Sequence, residues 1–302
     1  HKSNIIYMFL IVPQSSNSIM NKNIILLLIL ALFATSSAAV LARMVPELNP
    51  VVIAFWRVLI AAGFLWAYSG IRSQGSIKNG YRGTIVLTGV LLGLHFACFF
   101  QAVKLTTVAN ATLFSTIPPL FTALVERFYL KRQWNKKIIF GLLCAFAGLT
   151  LVFSNQINVN TNHVIGIGFA IIGSVLISAV WLLSEKIRQN TESIVYIRTL
   201  FLSAALPLFL GSLFFGDGVA NIKPVDIVWL TALGLFPTVI GHGLYNHALK
   251  FMRPTIVASF PLGEPIIASG LAYAVFGEPI GLLWAVGGLI TLFGLIIITL
   301  NH

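Results

Sequence analysis

One carboxylate, Glu264, sits inside an apolar run with a proline on either side, in "SFPLGEPIIAS". It lies about ten residues from either end of the apolar segment 254–276, too deep for its head to reach water along its own stem. Burying such a charge costs several kcal/mol unless it is paired, hydrated or protonated. Two readings follow. Glu264 either faces a cavity as a cation-binding or proton-titrating group, or is a protonated carboxyl bonded to backbone that Pro265 leaves unpaired. Pro261 and Pro265 each lack an N–H and clash with the preceding turn, and Pro118 and Pro119 do the same much earlier in the chain. Such mid-segment breaks belong to a binding site or to a packing bend.

Arg57 and Arg198 lie about six and four residues inside their segments. Their planar forks suit a gate pair or a substrate carboxylate, but their depth favours snorkelling to the interface. His95 and His242 occupy comparable helices, followed by Tyr245, Asn246 and His247. From His242, spacings of three and four put Tyr245 and Asn246 on its face. His247, at five, does not complete a metal-binding pair. A lone histidine in such a helix is more often a satisfied core or cavity group than a proton relay. Trp56, Trp181 and Tyr273 are aromatic-wall candidates for which interface anchoring or core packing is favoured. Cys98 and Cys144 have no metal-ligand spacing, and no metal site or cofactor is predicted. Without GxxxxGKS, GxGxxG or HExxH, neither nucleotide hydrolysis nor metalloprotease chemistry is encoded.

The elements that must position these groups are membrane spans. Of the 302 residues 58% are apolar and only 9% charged, with a mean hydropathy of +0.93. Soluble domains carry about a quarter charged residues. Ten apolar segments cover 23–42, 51–70, 84–104, 106–126, 137–153, 165–185, 194–215, 227–249, 254–276 and 281–300. The first 22 residues open on His1 and hold Met20 just ahead of the first span. They are set apart from the fold as a segment of uncertain origin.

A shift of 141 residues pairs Ser37, Arg57 and Gly70 with Ser178, Arg198 and Gly211. A shift of 146 then pairs Lys104 with Lys250, Pro119 with Pro265, Gly141 with Gly287 and Gly148 with Gly294. The chain therefore reads as two five-helix units, 23–153 and 165–300. Because five is odd, the second enters the membrane from the opposite side, giving inverted repeats. Charge supports this. Fourteen of the 19 basic residues (Lys2, Lys22, Arg72, Lys78, Arg82, Arg127, Lys131, Arg132, Lys136, Lys137, Lys186, Arg188, Lys250 and Arg253) fall in segments on one side. By the positive-inside rule both termini are expected to be cytoplasmic. The net charge of +11 sets topology, and no nucleic-acid partner is expected.

"AVKLTTVANATLFSTIPPLFTALVERFYLKRQW" and "ALKFMRPTIVASFPLGEPIIASGLAYAVFGEPI" resemble the two copies of the EamA domain of the drug/metabolite transporter superfamily. "PVVIAFWRVLIAA" and "WAVGGLITLFGLIIITL" are similar to further parts of that pattern. The first copy departs from it, with "LKRQW" in place of the acidic turn and Pro118 opposite Glu264. The resemblance implies an all-α membrane protein of ten helices around a central cavity with alternating access. It implies a non-enzymatic secondary transporter of small organic metabolites, amino acids or related solutes, proton-coupled or exchanging, in a bacterial inner membrane as monomer or homodimer. Its partners are then a small-molecule substrate and the lipid bilayer. The alternatives are an intramembrane enzyme acting on lipid and a passive channel.

Overall fold

The computed structural model describes residues 17–71, 77, 80–106, 108–133, 135–154, 161–215, 218–219, 222–277 and 281–301. Most of the N-terminal segment set apart above, 1–16, lies outside them. Among the described residues there is no strand. The first half holds α1 (Asn17–Ser36), α2 (Ala38–Ala42), α3 (Pro50–Ile71), α4 (Arg82–Leu105), α5 (Val108–Ser115), α6 (Pro118–Leu124), a π turn (Val125–Tyr129) and α7 (Lys136–Phe153). The second holds α8 (Thr161–Arg188), α9 (Ser193–Phe215), α10 (Pro224–Leu233), a π segment (Gly234–His242) and α11 (Gly243–Ala248). It closes with α12 (Pro254–Ser259), a 3-10 turn (Phe260–Gly263), α13 (Glu264–Phe276) and α14 (Leu282–Leu300).

Eight helical runs among the described residues are long and apolar enough to cross a bilayer. The predicted fourth segment, 106–126, is not one continuous helix. It stops at Ser115 and restarts at Pro118, because consecutive prolines cannot extend the helix before them. The predicted fifth segment forms α7.

Polarity is distributed inside out relative to a soluble domain. Phe214, Leu282 and Leu289 are 79%, 80% and 69% exposed, whereas Arg57 and Arg188 are both 1% exposed. Lipid takes the apolar surface, and the polar groups find partners within the bundle. The helices α8, α4, α9 and α3 pack in succession, while α7 and α14 form a pair of their own. Glycines set that pair's spacing, since a Cβ on Gly141 would stand 2.8 Å from the Gly294 carbonyl.

The ends of the π turn and of α8, together with the start of α12, meet at one face beside Arg132, Lys186 and Arg253. This is the basic face. At the opposite face Lys223 pairs with Glu47, and both are largely exposed.

Candidate functional site

Where the broken helices meet, they line a cavity. The sequence explains each break. In α1, Thr35 and Ser36 turn their hydroxyls back onto the carbonyls of Ala31 (3.0 Å) and Leu32 (2.6 Å), and Ser37 bonds Ala34 (2.7 Å) before α2 begins. Consecutive back-bonding hydroxyls of this kind bend helices. Between α5 and α6, Pro118 cannot donate to the Phe114 carbonyl. Ser174 of α8 donates to it instead, at 2.6 Å.

The 3-10 turn Phe260–Gly263 makes Glu264 the first residue of α13, with Pro265 second, where no N–H is required. The Glu264 N–H bonds the Pro261 carbonyl, so its carboxyl finds its surroundings among side chains. Thr35 and the Arg57 guanidinium line the same cavity as its carboxyl, and among the described residues Glu264 and Arg57 form no direct ion pair.

Arg57 is fully buried. Its Nε donates to Thr238 Oγ1 at 2.6 Å, and its guanidinium lies 4.2 Å over the Phe96 ring. Thr238 donates in turn to the Leu233 carbonyl at 2.7 Å, five residues back. That π register follows from Pro237, which leaves the ordinary ladder one donor short. The snorkelling reading of Arg57 therefore fails, because the side chain points into protein.

His95 Nδ1 bonds the Gly173 carbonyl at 2.8 Å, and the rings of His95 and His242 stand 6.4 Å apart. Trp181 packs edge-on to Tyr245 at 6.1 Å, and Tyr245 reaches Thr35 at 3.4 Å. Among the described residues Ser115 Oγ, Trp181 Nε1 and His242 Nδ1, buried at the cavity, have no hydrogen-bond partner. The cavity thus presents one carboxyl, one guanidinium, two imidazoles and spare polar atoms on aromatic walls. Such an arrangement orients a small polar solute.

Of the residues singled out in the sequence, Glu264, Arg57, His95, His242, Trp181, Tyr245, Pro118 and Pro261 line this cavity. Pro119 and Pro265 are buried beside it and stay off its lining. Arg198 is elsewhere, bonded to Ser69 at 2.6 Å and lying 4.2 Å over Trp66. Asn246 faces another polar cluster, its carbonyl accepting from the buried Arg188 at 3.0 Å. Trp56 donates to the Val219 carbonyl at 3.0 Å, and Tyr273 is exposed on α13. Thr35, Ser36, Thr112 and Ser115 join the lining unforeseen. Their signal lay in "ATSSAA" and "NATLFST", where hydroxyls gather beside a break. Among the described residues no three His, Cys, Asp or Glu side chains gather as a metal site.

The model of the EamA-like transporter family matches residues 21–154 and again 164–300. A protein of Archaeoglobus fulgidus named as an uncharacterized transporter is 25% identical over 93% of this chain and 98% of its own. The uncharacterized transporter YyaM of Bacillus subtilis is 25% identical over 90% and 92%. A solved crystal structure superimposes with a TM-score of 0.79 at 17% identity, over 92% of this chain and 97% of that one, and so shares the fold.

Proposed function

Because the chain belongs to the EamA-like transporter family, we propose that it carries small organic solutes with both an ammonium and a carboxylate, amino acids and their relatives, by alternating access. One observation carries this reading. A carboxyl and a guanidinium line the same cavity without pairing directly. Glu264 takes the substrate cation and Arg57 its anion, while Trp181, Tyr245 and Phe96 hold the apolar part. Ten helices in two inverted units, in a bacterial inner membrane with both termini cytoplasmic, are the frame of this proposal. The basic residues gathered on one face support that orientation.

Counterflow in proteoliposomes against a panel of amino acids, amines and carboxylates tests it. Glu264→Gln is expected to weaken zwitterions and amines by about 2 kcal/mol, roughly 30-fold, and Arg57→Gln to weaken zwitterions and carboxylates similarly. Equal loss across all three classes overturns the assignment of roles. Proton coupling is part of the proposal, with Glu264 as the titrating group. Stimulation by an imposed pH gradient should disappear in Glu264→Gln, and its survival there places coupling elsewhere.

A further inference from the structure

A second polar assembly lies between the cavity and the basic face. Glu126, in the π turn, is 5% exposed and accepts the Thr255 N–H of α12 at 3.1 Å. Arg132 reaches Glu126 at 3.5 Å and Glu185 of α8 at 2.8 Å. Glu126 and Arg132 belong to the first family match, and Glu185 and Thr255 to the second. The assembly is therefore a charged bridge between the two halves.

Its position is on the path out of the cavity. On α8, Glu185 lies one helical turn beyond the cavity-lining Trp181, toward the basic face. Along the helical run from α12 to α13, Thr255 is nine residues before Glu264, roughly 14 Å nearer that face. The local backbone aims Arg132 inward. Lys131 adopts φ +53°, and the Arg132 N–H returns to the Glu126 carbonyl at 2.8 Å, closing the π turn as a left-handed cap. A non-glycine residue in this conformation is held there by its surroundings.

The two faces are unequal. At the opposite face the ion pair between halves among the described residues is Glu47–Lys223, with side chains 74% and 63% exposed, against 7%, 13% and 29% for Glu126, Glu185 and Arg132. Exposed pairs hold little. The sequence positions equivalent to Glu126 and Glu185 under the internal repeat are Ala272 and Met44.

We propose that Glu126, Arg132 and Glu185 form a gate that holds the basic face shut while the cavity communicates with the opposite face. The assignment rests on alternating access as the mode of transport.

A reporter thiol tests it without knowledge of the substrate. In a Cys98→Ala/Cys144→Ala background in nanodiscs, with both faces accessible, Ala123→Cys places a thiol in the pocket lined by Glu126 and Arg132. A bulky maleimide is the probe. Arg132→Gln and Glu185→Gln should each speed its reaction about fivefold, and Arg132→Lys should fall between them and the parent. Unchanged rates in both neutral variants overturn the gate. Two variants are used so that a folding failure in one, seen by size-exclusion profile, leaves the other decisive. A cavity thiol at Ala39→Cys separates the two ideas. For Ala39 the maleimide is given to the opposite face only, in sealed vesicles: protection there in the variants that speed Ala123 supports both proposals, whereas a faster Ala123 with unchanged Ala39 keeps the bridge as the closure of the basic face and overturns alternating access.

Discussion

Arg57 and Glu264 are the residues whose chemistry depends most on their neighbours, and Thr238 is the neighbour that matters for Arg57. A buried guanidinium needs acceptors, and Thr238 Oγ1 supplies one at 2.6 Å. Thr238→Val keeps the shape and removes the acceptor, so it should lower unfolding stability by about 2 kcal/mol. Thr238→Ser should stay within about 0.5 kcal/mol of the parent. Denaturation in detergent, followed by intrinsic tryptophan fluorescence, measures both. Ser174→Ala strips the Phe114 carbonyl of its donor and should cost about 1–3 kcal/mol by the same assay. Glu264 and Arg57 were legible in the sequence because charges in apolar runs are rare enough to demand an explanation. Thr238 was not, since threonine is ordinary there and only the π register turns it toward Arg57. Arg188 has a packing role that the sequence did not show, for a related reason. Near a span end it counts as a topology signal, yet it folds inward against Asn246 and Ser193.

At the scale of elements, prolines announced where helices break but not what the breaks become. "STIPPLFT" separates α5 from α6 outright, whereas "SFPLGEP" passes through a 3-10 turn that leaves Glu264 at a helix start. The difference is local. Two adjacent prolines remove two donors together, while prolines four apart leave a turn between them with donors to spare. The small-residue pattern was more fully legible. Gly141, Gly148, Gly287 and Gly294 recur at the repeat shift, and in the structure α7 and α14 touch backbone to backbone through them. Thr291 fastens the same seam, donating to the Gly287 carbonyl at 2.9 Å and reaching the Ala145 carbonyl at 3.3 Å. Gly148→Leu should force the pair apart and cost about 1–3 kcal/mol or more, read as a lower melting midpoint in detergent. Gly168→Leu, where nothing lies within 4 Å of an added Cβ, is the control and should melt as the parent does.

For the whole molecule, composition and the internal shift were enough to expect a two-part helical membrane bundle. Hydropathy reports which residues avoid water, so it marks spans well. It carries no information about which polar groups meet across the bundle. The bridge of Glu126, Arg132 and Glu185 joins residues up to 59 positions apart in sequence with no motif between them. The same blindness covered the opposite face. There Glu47 and Lys223 meet in open water, where salt acts on them directly. Raising ionic strength from about 0.15 M to 1 M shortens the Debye length from about 8 Å to 3 Å, which screens an exposed pair far more than a buried one. Ionic strength is therefore a vectorial variable for this protein. In a salt titration the Ala123→Cys thiol should hold steady, with any change of reactivity confined to the Ala39→Cys thiol, so a symmetric solute exerts an effect with a direction.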